Sequence, residues 1–245
     1  MHCLIKKIYL SLLLTNNYQN YYNMKKLFMI AAMGLMALGA SAQNAMDDNG
    51  KSTTQPSDGI AQVQLANQLA QYGYDNSSAS ALIEAAAILV EVGGQDLQAE
   101  YQRGEGADVK GERVAVTPAQ LIADAKRFAE GDKTLLAMAD KVKLNGTSRG
   151  AVGGPKRSST YVLANSTDVF TIRFRGDQLA EIFVSGDGDT DLDLYVYDEN
   201  NNLIESDVDY TDQCYVSWTP AWTGPFKVKV VNRGNVRNYY TIWTN

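Results

Sequence analysis

Four aspartates alternate with other residues at the start of the segment Gly186–Tyr197, GDGDTDLDLYVY: Asp187, Asp189, Asp191 and Asp193. Alternating carboxylates resemble the start of a calcium loop, because calcium takes hard oxygen ligands. The match to an EF-hand fails, since Leu192 stands where the sharp-turn glycine belongs and Asp198 where a bidentate glutamate belongs. The segment therefore predicts a β-turn calcium site. The alternative is that the aspartates only order the turn by bonding to backbone amides.

Asp191 and Asp193 also have a spacing that acid–base catalysis would use. Two residues apart on one strand face, they would lie about 6.5 to 7 Å apart, at the near edge of the spacing in inverting glycosidases. A general acid, however, needs an apolar pocket that keeps it protonated, whereas this turn offers water and like charge. A carboxylate-dependent hydrolase stays as an alternative, and we assign no catalytic residue.

The same segment continues into an alternating strand with aromatic side chains on one face. Leu192, Leu194 and Val196 share the core face, and Tyr195 and Tyr197 share the other. Trp222 lies in a turn between two prolines. Flat aromatic rings suit stacking on sugars or packing on extended peptide. We predict Tyr195, Tyr197 and Trp222 as ligand-binding residues, with the alternative that loops or a helical module cover them.

The N-terminal 42 residues have the parts of a secretory signal. Met24-Lys25-Lys26 precede an apolar run, residues 27–38, and the small residues Ala40-Ser41-Ala42 follow. We expect translation to start at Met24 and cleavage before Gln43, which makes residues 1–42 a leader and signal peptide. The apolar run is shorter than the roughly 20 residues that span a bilayer. The sequence thus predicts a secreted or periplasmic protein without a membrane span.

Removal of residues 1–42 limits the chemistry that the chain can carry out. The one histidine, His2, lies in that segment, so the mature chain lacks the imidazole of Ser-His-Asp and Cys-His machinery. The remaining 18 basic and 28 acidic residues give a net charge of −10. Phosphate backbones repel such a chain. We therefore predict a non-enzyme with no nucleic-acid partner.

The apolar spacing changes from helical to strand-like near residue 150, which indicates an α+β, multi-domain chain. Residues 57–144 predict a small all-α helical bundle of four helices. Thr117 and Asp132 are the caps of the last two, and Gly73 is the stop of the first. The segment Gln95–Glu112 is predicted as a surface loop. Residues 145–157 are poor in large side chains and predict a flexible linker.

Strand signals then recur at about ten-residue intervals and predict an antiparallel β-sandwich of eight strands over residues 158–245. Within it, GDGDTDLDLYVY, the series Gly224, Phe226 and Val228, and Tyr240-Thr241-Ile242 resemble the bacterial pre-peptidase C-terminal domain. The resemblance implies a jelly-roll-like sandwich that accompanies secreted proteases and other exported enzymes without being the catalyst. It also implies binding of extracellular polymers such as collagen or carbohydrate, in some members with calcium.

Together these observations predict a secreted, non-catalytic binding protein whose β-sandwich binds an extracellular or envelope polymer, either protein or carbohydrate. Two alternatives stay open beside it. One is a carboxylate-dependent hydrolase or an adjunct of a secreted peptidase. The other is a purely structural module whose helical half contacts a protein partner.

Overall fold

The computed structural model describes residues 57–113, 116–144 and 154–245 of the chain. The predicted leader, residues 1–42, lies outside the described residues, as do residues 145–153 of the predicted linker. Among the described helices, none combines the length and apolar character needed to cross a membrane.

The prediction of four helices is confirmed: α1 Asp58–Asp75, α2 Ala79–Val92, α3 Pro118–Phe128 and α4 Lys133–Lys141. The Thr117 hydroxyl accepts the Gln120 amide at 3.1 Å, and the Asp132 carboxylate accepts the Thr134 amide at 2.7 Å, so both predicted caps form. Gly73 does not end α1. It is buried inside the helix, where a Cβ would lie 2.4 Å from Leu82 Cδ2, so glycine is needed for close contact between α1 and α2.

Within the residues that the structure describes, ten strands form two five-stranded sheets. The first has the order β1-β3-β10-β5-β8 and the second the order β2-β4-β9-β6-β7. The strands are β1 Gln95–Asp96, β2 Glu100–Gln102, β3 Lys156–Val162, β4 Thr167–Phe174, β5 Ala180–Ser185, β6 Leu192–Tyr197, β7 Leu203–Asp207, β8 Gln213–Trp218, β9 Gly224–Asn232 and β10 Asn238–Thr244. The pairing is antiparallel throughout except between β1 and β3. Strands β3 to β10 are the eight that the sequence predicts.

The segment Gln95–Glu112, predicted as a surface loop, contains the two additional strands. Strand β1 pairs with β3 at the edge of the first sheet, and β2 pairs with β4 at the edge of the second. Unpaired edge strands expose backbone donors and acceptors, and this segment covers one edge of each sheet. The loop prediction is wrong because both strands are short and exposed, and therefore show no apolar alternation.

The main core lies between the two sheets, and a second apolar cluster joins the helices to the first sheet. The inner core includes Ile182, Leu194, Val228 and Ile242, all fully buried. In the second cluster the helices pack on Phe183 and Trp243 from the outer face of the first sheet. Strand β5 is consequently buried on both faces. The division into a helical domain (57–144), a linker (145–157) and a sandwich (158–245) stays a prediction.

Candidate functional site

The aspartate turn between β5 and β6 is held together by its own carboxylates. The Asp187 carboxylate accepts the amides of Asp189 at 3.0 Å and Tyr239 at 2.8 Å. Asp189 accepts the Arg113 amide at 2.8 Å. Burial raises the pKa of the Asp187 carboxyl, and the charges of Asp189 and Asp212 add to this increase, while the bonds from the two amides oppose it. Asp187 and Asp189 thus order the turn through backbone amides.

The four predicted calcium ligands do not all face the same space. Asp187, Asp189 and Asp191 line one cleft, and Asp193 pairs with Arg233 instead. Asp191 precedes β6, which begins at Leu192, so the strand alternation that would place it on the face of Asp193 does not include it. In the part of the chain that the structure describes, no three His, Cys, Asp or Glu side chains are grouped to hold a metal ion. Calcium stays a prediction, which isothermal titration of the protein with calcium would test.

The cleft, of about 760 Å³, lies between the aspartate turn and helices α1 and α3. The helices and the loop before α3 add Asp75, Glu112 and Asp124 to its lining. Seven acidic residues line the cleft against two arginines, and one of the arginines, Arg127, pairs with Asp124 at 2.6 Å. The cleft is therefore acidic and repels anions. The sequence could not assign the contribution of the helices, since it depends on how they pack against the first sheet.

The outer face of the second sheet carries Tyr195 and Tyr197. Their rings are stacked, with centroids 6.4 Å apart and an interplanar angle of 24°. Both side chains are half-buried. The helices pack on the first sheet and leave these rings on the opposite side of the sandwich. The two tyrosines thus form a flat aromatic surface on a rigid strand.

Neighbouring side chains hold both rings in place. Arg233 Nε donates to Asp193 Oδ2 at 2.6 Å, and the Tyr195 hydroxyl donates to the same oxygen at 3.1 Å. Partial burial and the Asp193 carboxylate raise the pKa of the Tyr195 hydroxyl. The Lys229 ammonium lies 4.6 Å from the centroid of the Tyr197 ring, within the range of a cation–π contact. We call this surface the tyrosine face and define it by Asp193, Tyr195, Tyr197, Lys227, Lys229 and Arg233.

Trp222, the third predicted ligand-binding residue, makes its described contacts elsewhere. Its ring stacks on Phe226 with centroids 5.9 Å apart, and its Nε1 donates to Glu199 Oε2 at 3.1 Å. The side chain is 39% exposed. The sequence alone assigned no role to Arg233 or Lys229. The outward alternation of Lys227 and Lys229 along β9 was the available signal, but its meaning depends on the register with β6.

No protein-family model matches the chain, and no curated protein sequence matches it either. The chain is similar to the solved pre-peptidase C-terminal domain of a collagenase from Bacillus anthracis, with 14% identity, 37% of this chain and 88% of that chain covered, and a TM-score of 0.31. It is similar to the periplasmic inhibitor of g-type lysozyme from Aeromonas hydrophila, with 12% identity, coverage of 40% and 90%, and a TM-score of 0.30.

A third similar structure is the carbohydrate-binding module of a Cellvibrio mixtus lichenase in complex with cellotriose, with 10% identity, coverage of 38% and 87%, and a TM-score of 0.23. A pre-peptidase C-terminal domain is thus among the structures that this chain resembles, as the sequence motifs indicated. With such low identities and TM-scores, none of these proteins transfers a ligand or an activity to this chain.

Proposed function

We propose that the protein is exported and binds an extracellular or envelope polymer on the tyrosine face, without catalysing a reaction. The observation that carries this proposal is the stacked pair Tyr195 and Tyr197 on the side of the sandwich opposite the helical layer. Aromatic rings held on a strand give a large contact area at a small cost in conformational entropy. The hydrogen bonds and the cation–π contact described above restrict the rings further, so the rings are preorganised for binding.

Two observations support a binding role over hydrolysis. Residues 43–245 contain no histidine, so a hydrolase in this segment would have to depend on carboxylates. The two acids considered for catalysis also differ in their surroundings, since Asp193 is ion-paired with Arg233 and Asp191 belongs to the lining of the cleft. A carboxylate pair that flanks one substrate bond must face one shared space.

The test measures how strongly the purified protein binds each member of a panel of polysaccharides and collagen. Affinity gel electrophoresis is used for soluble polymers and sedimentation for insoluble ones. The double variant Tyr195→Ala/Tyr197→Ala is expected to weaken binding by about tenfold or more, because each lost stacking contact contributes of the order of 1 kcal/mol. Tyr210→Ala is the matched control, since Tyr210 is 96% exposed and lies in the lining of the cleft. The proposal fails if the double variant binds as the unmodified protein does, or if no polymer is bound.

A further inference from the structure

The outer surface of the central strands of the second sheet carries a surplus of positive charge. Strand register places Lys229 directly opposite Tyr195 and Lys227 directly opposite Tyr197. Arg173, exposed on β4, adds a third cation on the same side. Among the outward residues of β4, β6 and β9, Asp193 is the one acid, and Arg233 neutralises it. Glu100, exposed on the edge strand β2 and in register with Thr171, lies on the same face, so the three cations still outnumber the acids there. This surplus contrasts with a chain whose formal net charge is −6.

From this arrangement we propose that the polymer bound by the tyrosine face is an anionic polysaccharide, carrying carboxylate or sulfate groups. The inference rests on the proposed function and adds the chemical class of the ligand. Sugar rings would stack on Tyr195 and Tyr197, and their acidic groups would lie against Lys227 and Lys229 on the adjacent strand. The acidic cleft elsewhere on the molecule repels such a polymer, whereas the cations of the tyrosine face attract it.

The position of the face in the sheet favours a polysaccharide over an extended peptide. Peptides add to sheets at their edges, where backbone donors and acceptors are free. Strands β6 and β9 pair with each other, and each has a further partner on its other side, β7 and β4 respectively. Their backbone groups are thus used within the sheet. A sugar chain needs no backbone pairing, because its apolar face stacks on the rings while its hydroxyl groups stay hydrated.

Single-stranded nucleic acid also combines stacking bases with negative charge. Its affinity, however, depends on neutralising many phosphates, each by a cation along an extended groove. The tyrosine face and its border offer Arg173, Lys227 and Lys229 as cations that are not neutralised by a described acid. A polysaccharide with acidic groups on some of its sugars matches this small number better.

The experiment compares polymers that differ in charge alone. Affinity gels contain polygalacturonate or its methyl ester, and dextran sulfate or dextran, so that the two pairs separate carboxylate from sulfate. We expect the protein to bind at least one acidic polymer at least about tenfold more tightly than the uncharged polymer of the same pair. This binding should weaken with added salt. Lys227→Gln/Lys229→Gln is expected to remove most of this difference. Lys143→Gln/Lys156→Gln is the matched control, since both lysines are exposed and lie outside the tyrosine face.

Each other result overturns a defined part of the account. Equal binding to the charged and uncharged polymers of each pair, or binding only to neutral polymers or collagen, would show that the ligand is not an anionic polysaccharide. The proposed function would still stand. Unchanged binding by Lys227→Gln/Lys229→Gln would refute the role of these lysines, and with it the inference. Tighter binding to a single-stranded DNA oligonucleotide than to either acidic polysaccharide would replace the polymer class. Failure to bind any polymer would refute both proposals.

Discussion

Asp193 shows how one buried carboxylate fixes the geometry of the tyrosine face. Its side chain is 6% exposed and would be costly to bury alone, but Arg233 pairs with it and the Tyr195 hydroxyl donates to it. Arg233 Nη2 also donates to the Tyr195 hydroxyl at 3.1 Å. Asp193, which the sequence suggested as a metal ligand or catalyst, therefore contacts both Arg233 and Tyr195 and positions the tyrosine ring.

At this scale we predict that Arg233→Ala lowers the free energy of unfolding by about 1–2 kcal/mol, because the variant leaves Asp193 buried without its cation. Removing a partner from a fully buried pair costs more, but the Arg233 side chain is 52% exposed and solvent screens the charge. Urea denaturation measures the change. The double variant Asp193→Asn/Arg233→Ala should recover part of the loss, since no uncompensated charge remains. Equal losses in the single and double variants would contradict the role assigned to the ion pair.

Among the elements, strands with one buried face were predictable and elements that depend on distant partners were not. The alternation of Leu192, Leu194 and Val196 indicates β6 directly. The exposed strands β1 and β2 have no such pattern. They are strands because their backbones pair with the edges of β3 and β4. The continuous apolar run Ile182-Phe183-Val184 was a signal of a strand covered on both faces. That signal indicates a covering layer without saying which elements provide it.

The packing of Phe183 and Trp243 against the helices predicts cooperative unfolding. Far-UV circular dichroism, which follows the helices, and tryptophan fluorescence, which follows the strands, should give coincident thermal midpoints. Phe183→Ala should lower the free energy of unfolding by about 3–5 kcal/mol, because a buried aromatic ring is lost from this layer. Phe183→Leu, which keeps much of the apolar volume, should cost less. Two separate transitions in the unmodified protein would instead support independent helical and sandwich domains.

Across the whole molecule, the acidic cleft and the tyrosine face are separated. The acidic cleft lies between the helices and the aspartate turn, and the tyrosine face lies on the opposite sheet. The sequence predicted that Tyr195 and Tyr197 point outward, because strand alternation fixes this locally. It did not place Lys229 beside Tyr197 or Arg233 beside Asp193, because those contacts need the register between β6 and β9. Sequence thus indicated the aromatic half of the face and missed the charged half.

Chemical-shift mapping by NMR locates the bound ligand on the protein and shows whether it lies on the tyrosine face. The purified protein, labelled with ¹⁵N, is titrated with oligosaccharides of the polymer that it binds, and amide shifts are followed residue by residue. If ligand binds on the tyrosine face, the largest shifts occur along Asp193–Tyr197 of β6 and Lys227–Val231 of β9, and Asp187–Asp191 stay nearly unchanged. Shifts concentrated in the acidic cleft or on the helices, with β6 and β9 unaffected, would contradict binding on this face.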